Sequence, residues 1–178
     1  MPRTIIYSLN LLIIIALFVF SIIVYPDLPS KIPSHINFKG EADSFANKTL
    51  LFWMLIPILS LILLLIIRWI SNLMDKKPGW INLPNKQKYL ELSENMRANV
   101  NQYLKTFILI LIFMMNVILF EVQLMLYQAS MSVEKQADTL NTYLLMFFAV
   151  IFIIYIIVYL FKFSSLIRIA WESENKSV

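Results

Sequence analysis

Four long stretches of this chain carry no charge, and that limits the fold more than any other feature. They run from Thr4 to Pro26, from Thr49 to Ile67, from Thr106 to Phe120 (continuing past one acid to about Tyr127) and from Thr139 to Phe161. A hydrocarbon core of ~30 Å takes about 20 helical residues at ~1.5 Å each, and all four runs meet or nearly meet that length. Lipid offers the backbone no hydrogen-bond partner and the runs show no period-two alternation, so helix is the only spanning structure open to them. With 60% of its 178 residues hydrophobic, the chain exceeds the ~45–50% apolar content of soluble domains. The expected fold is an all-α membrane protein with transmembrane helices at about 5–25, 49–72, 105–128 and 139–162. The first run is too long for the apolar core of a cleaved signal and lacks a small-x-small cleavage site, so it reads as a retained anchor. The absence of cysteine excludes disulfide and thiolate–metal chemistry.

The basic residues set the orientation. Arg3 precedes the first span, Lys31, Lys39 and Lys48 fall in the first loop, and Lys135 alone falls in the third. Arg68, Lys76, Lys77, Lys86, Lys88, Arg97 and Lys105 flank or fill the middle segment, and Lys162, Arg168 and Lys176 follow the fourth span. The positive-inside rule then predicts both termini and the middle segment in the cytoplasm, and loop 26–48 outside. The net charge of +4 follows from that asymmetry facing anionic lipid, with no nucleic-acid partner required. Tyr25, Phe45 and Trp53 near the first loop, Trp69 and Trp80 near the inner face, and Tyr127, Tyr159 and Trp171 elsewhere are placed as interfacial aromatics.

Loop 26–48 holds the only histidine and one of two glycines. Pro26, Pro29 and Pro33 fix φ and press their neighbours toward extended geometry. "NFKGEAD" reads as a turn in which Gly40 takes a positive φ, and Asp43 or Ser44 is expected to cap the second span. The plain reading is a proline-braced connector whose His35 and Asn37 hydrogen-bond the loop backbone while Lys48 snorkels to the interface. The sharper one is a divalent-metal or proton-responsive site built from His35, Asp43 and the membrane acid Glu121, although one histidine is few for zinc.

The stretch "LPSKIPSHINFKGEADSFANK" resembles a bacterial membrane domain of unknown function that opens the immunity proteins of the sporulation-delaying-protein toxin family. The pattern L-P-x-x-I-P-x-H-x-N-x-x-G-x-x-D-x-x-x-x-K is met by Leu28, Pro29, Ile32, Pro33, His35, Asn37, Gly40, Asp43 and Lys48, and Pro57 fits early in the second span. The resemblance covers roughly residues 5–65, within a motif-bearing unit 1–65. It implies an immunity-type or sensor-type protein of the bacterial cytoplasmic membrane that binds a membrane-active toxic or signalling peptide through loop 26–48.

Glu121 is the one ionisable residue well inside an apolar run. A charge at mid-helix costs ~2.5–3.5 kcal/mol on insertion scales, so it should face protein. Placed ~9 Å below the outer edge, it is expected to pair with Lys31, Lys39, Lys48 or His35. Asn116, Gln123 and Tyr127 fall on one helical stripe, with Glu121 on another face; interhelical hydrogen bonding is the expectation for these and for Asn10. In segment 73–104, Tyr89, Leu92, Met96, Val100 and Tyr103 form an apolar stripe beside Lys86, Lys88 and Arg97. The pattern predicts an amphipathic cytoplasmic helix on the inner leaflet or on a partner, with a break at Ser93 that caps a second piece. Residues 164–178 read as a cytoplasmic tail. No protease, hydrolase, nucleotide-binding or dinucleotide signature is present, so no catalytic residue and no cofactor is assigned. The alternative class is a metal-dependent membrane enzyme or transporter accessory subunit using His35, Asp43 and Glu121. Expected partners are membrane lipid, a toxic or signalling peptide, and a cytoplasmic regulator or a second copy of the chain.

Overall fold

The chain folds around one long helix that packs against the three other spanning helices and one strand. The computed structural model describes residues 3–77, 79 and 82–175; Trp80 and Lys176, expected at the interface and in the cytoplasm, lie outside them. Helix α1 (Arg3–Val24) leads into a two-stranded antiparallel hairpin, β1 (Lys31–Ile36) and β2 (Ala42–Asn47). A single turn, α2 (Leu50–Trp53), precedes α3 (Leu55–Lys76). Short α4 (Lys86–Glu91) is followed by the long α5 (Glu94–Met131) and α6 (Thr139–Asn175). Among the described residues four helices are long and apolar enough to cross a membrane, as the uncharged runs predict.

α1 buries Ile6, Asn10, Ile14, Leu17, Ser21 and Val24, a stripe with steps of three and four that lies along one helical face. It packs on α5, and α3 packs on another part of the same helix. Polar side chains hold these three spans together. Asn116 of α5 donates its amide to Asn10 Oδ1 (3.1 Å), and Ser60 of α3 donates to Asn116 Oδ1 (2.8 Å). Asn10 in turn donates to the Ile6 and Leu109 carbonyls. All three side chains are fully buried, where apolar lipid supplies no competing partner.

Pro57 explains the break between α2 and α3. It has no N–H to give the Trp53 carbonyl four residues back, and Gln123 Nε2 donates to that carbonyl instead, at 3.3 Å. Trp53 itself is a core residue, its indole donating to the Ser21 carbonyl (2.9 Å), and so departs from the interfacial place predicted for it. Tyr159 is likewise buried. The cap of the second span is Thr49, whose hydroxyl accepts from the Phe52 N–H (3.2 Å). Asp43 and Ser44, expected in that role, are instead committed to cross-strand pairs within the hairpin.

At the end opposite the hairpin, α5 and α6 run past any membrane thickness. At 38 and 37 residues they measure ~55 Å at 1.5 Å per residue, against a core of ~30 Å. Their extensions and α4 share a separate apolar core containing Met74, Tyr89, Leu92, Val100, Phe163 and Ile167. Tyr89 donates to Asn101 (2.7 Å), Trp171 donates to Glu91 (2.6 Å), and Lys88 lies over the Trp171 ring. The apolar stripe of segment 73–104 therefore finds α6 rather than the lipid surface, and residues to 175 of the tail are helix. The break at Ser93 is present: it caps α5 by accepting from the Met96 N–H (3.3 Å).

Candidate functional site

The motif stretch folds into the hairpin, and its own residues hold it there. Asn37 Oδ1 accepts from the Lys39 and Glu41 N–H groups (2.8 and 3.1 Å), and its amide donates to Glu41 (2.9 Å). That closes the turn in which Gly40 takes φ +86°, as the sequence predicts. His35 Nδ1 and Asp43 Oδ1 meet across the strands at 2.6 Å, beside a Ser34–Ser44 hydroxyl pair at 2.7 Å. Pro33 is buried in β1 and lies where the register with β2 begins to shift, because a proline cannot donate to the ladder.

Three attachments fix the hairpin to the bundle. Lys48 Nζ donates to the Pro26 and Leu28 carbonyls (3.0 and 2.8 Å) and lies 4.8 Å over the Tyr25 ring, clamping the hairpin base to the end of α1. Pro29 is half-buried in the chain between them. On the far side, the Ala42 N–H donates to the Lys135 carbonyl and the Ala137 N–H to the Gly40 carbonyl (2.9 and 2.8 Å), joining β2 to the α5–α6 connection. Gly40 is also pressed against α6, where a Cβ would stand 2.6 Å from Thr142 Oγ1.

The hairpin roofs a cleft of about 480 Å³. α5 supplies its floor through Ile118, Val122, Met125 and Leu126; Ile56 of α3 stands on one side and Leu145, Met146 and Ala149 of α6 on the other. Ser34, His35, Asn37, Phe38 and Thr142 form the rim. α3 and α6 each pack on α5 far more than on one another, which leaves the groove between them. Phe38 projects from the turn and is 90% exposed. The walls therefore suit apolar groups and the rim suits a polar or charged one.

Glu121 does not join this constellation in the way the sequence led us to expect. α5 continues to Met131, which sets Glu121 ~15 Å below the helix end. Lys48 is held by carbonyls and His35 by Asp43, and Glu121 Oε1 is buried with no hydrogen-bond partner among the described residues. It lies one turn from both Ile118 and Met125 on the same stripe of α5, so it borders the cleft floor. Among the described residues no three His, Asp or Glu side chains gather where they could hold a metal; His35 and Asp43 meet, and Glu121 stays apart from them. Asn116 and Gln123 serve the interhelical contacts described above.

Nothing in the sequence marks the cleft-lining residues of α5 and α6, because their apolar side chains are indistinguishable from lipid-facing ones. Phe38 had one signal, a lone aromatic in a polar turn.

A known family pattern covers this part of the chain. Residues 12–61 match the model of a domain of unknown function (DUF1648). The matched stretch takes in most of α1, the whole hairpin, α2 and the start of α3, so the pattern spans the roof of the cleft and one of its sides. No curated protein and no solved structure matches the chain.

Proposed function

We propose that this integral membrane protein is of immunity or sensor type and binds a membrane-active peptide through the hairpin and the cleft beneath it. The observation that carries the reading is the cleft's division of labour: three spans give it apolar walls, and the motif turn gives it a polar rim. A membrane-active peptide partitions into the interface with one apolar and one polar face. Such a segment fits a groove of this kind by helix-in-groove recognition, with its apolar residues against Val122, Met125 and Met146 and its polar groups at Ser34, His35 and Asn37. The resemblance of the motif to that of toxin-immunity proteins supports the same reading. So does the charge asymmetry, which favours an orientation with the hairpin on the outer side of a bacterial cytoplasmic membrane, where an extracellular peptide arrives.

The test is a challenge of cells lacking the gene with envelope-active peptides. Loss of the protein should sensitise the cells to at least one such peptide, and the wild-type gene should restore resistance. Met146→Trp, which fills the cleft, and Phe38→Ser, which removes the exposed anchor, should fail to restore it at unchanged membrane abundance. Full protection by both variants would rule out the cleft as the binding surface.

A further inference from the structure

A second pocket, of about 200 Å³, opens between α5 and α6 at the end away from the hairpin. Its chemistry differs from that of the cleft. Tyr103, Tyr155 and Tyr159, the Thr106 side chain and Lys162 line it together with Phe107. The rings are ordered by stacking: Tyr103 on Tyr159 with centroids 5.3 Å apart, and Phe107 on Tyr155 at 5.2 Å. Lys162 is the first lysine or arginine after the start of α6, and it is exposed. An exposed lysine directly after the long apolar run of α6 marks the depth at which side chains reach the headgroups.

Tyr159 supplies an independent pointer. It is 6% exposed, and its hydroxyl is buried with no hydrogen-bond partner among the described residues. A buried hydroxyl left unpaired is costly, and this one belongs to the wall of a pocket that also holds an ammonium and two further phenols. No carboxylate lines the pocket. Donors surrounding a small space, with one positive charge and no negative one, form an anion site. Ile110, on the side toward the membrane interior, and Val158 complete the wall and suit hydrocarbon.

We propose that this pocket binds the headgroup of an anionic phospholipid from the leaflet at the basic end of the molecule. Lys162 and the tyrosine hydroxyls hold the phosphodiester, and the acyl chains pass along the α5–α6 groove. The inference rests on the membrane-spanning character of the helices and is independent of peptide recognition at the hairpin.

Purified, delipidated protein in a neutral detergent tests it, with thermal unfolding followed against added dioctanoyl phosphatidylglycerol, dioctanoyl phosphatidylcholine or inorganic phosphate. Phosphatidylglycerol should raise the midpoint saturably, and the other two should not at equal concentration. One membrane-surface lysine contact corresponds to about a fivefold change in affinity, so Lys162→Gln should weaken phosphatidylglycerol binding by about that factor. Arg168→Gln, which removes a charge from the same end of α6 outside the pocket, should leave it unchanged. Tyr159→Phe should also weaken binding while leaving the lipid-free midpoint equal or higher, a pattern that a purely structural tyrosine would not give. Wild-type affinity in both Lys162→Gln and Tyr159→Phe overturns the proposal. An equal shift with phosphatidylcholine overturns it as well, and an equal shift with inorganic phosphate reduces the pocket to a free-anion site.

Discussion

Gly40 resists replacement for two separate reasons. Its φ of +86° lies where an L side chain is strained, and a Cβ there would stand 2.6 Å from Thr142 Oγ1. Gly40→Ala should therefore lower stability by about 1–3 kcal/mol, measured as a shift in detergent thermal unfolding. A milder loss in the Gly40→Ala, Thr142→Ala double variant would assign part of the cost to the contact with α6. Glu174 offers a pH-dependent case at the same scale. The Ser93 hydroxyl and N–H both donate to its carboxylate, and these bonds hold its pKa below the ordinary 4.5. A carboxyl depressed in the fold adds stability that is present above its unfolded pKa and lost as pH falls through the lower folded value. Wild type should then be more stable than Glu174→Gln at neutral pH, and that advantage should fade only below about pH 4.5. An advantage independent of pH would remove the carboxylate from the account. The turn glycine was legible because a polar "NFKGEAD" leaves few alternatives, whereas Thr49 as cap was not. Three plausible cap residues fall within seven positions, and only strand pairing takes Asp43 and Ser44 out of contention.

Elements were legible where one physical demand dominates. Long uncharged runs must be helical in lipid, and four such helices are present. The hairpin was hidden because its strands are short, polar and proline-bearing, so neither β-propensity nor alternation marks them; what pairs them is the closed turn and the Lys48 clamp. The stripe from Tyr89 to Tyr103 was visible as amphipathic, but sequence cannot say whether an apolar face meets lipid or protein. The α2–α3 break gives a prediction about coupling between elements. Because Gln123 donates to the carbonyl that Pro57 leaves free, Pro57→Ala should restore the backbone bond and make the glutamine redundant. Gln123→Leu is expected to cost about 0.6 kcal/mol in the wild-type background, the usual scale for interhelical bonds in membranes, and less in Pro57→Ala. A double-mutant cycle on unfolding free energies reads this coupling. Equal costs in both backgrounds would mean that Gln123 contributes by packing alone.

The whole molecule is polarised along its long axis. The hairpin end carries Lys31, Lys39, Lys48 and Lys135 among the acids Asp27, Glu41, Asp43, Glu134 and Asp138, whereas the opposite end gathers Arg3, Arg68, Lys76, Lys77, Lys86, Lys88, Arg97, Lys105, Lys162 and Arg168. Helix ends rich in lysine and arginine are retained on the cytoplasmic side, and the anionic inner leaflet reinforces that choice. The fold adds a mechanical reason for one orientation to hold throughout. The hairpin is tied to α1 through Lys48 and to the α5–α6 connection through backbone bonds, so all four spans are oriented together and none can invert alone. Lys39 is exposed on the turn, and a cysteine placed there in this cysteine-free chain is a unique reporter. Lys39→Cys should react with a membrane-impermeant thiol reagent in intact cells, and a cysteine at Arg168 should react only after the membrane is opened. The reverse pattern would place the cleft rim in the cytoplasm, out of reach of an extracellular peptide. The lipid pocket would then face the outer leaflet, so this one labelling experiment bears on both proposed sites.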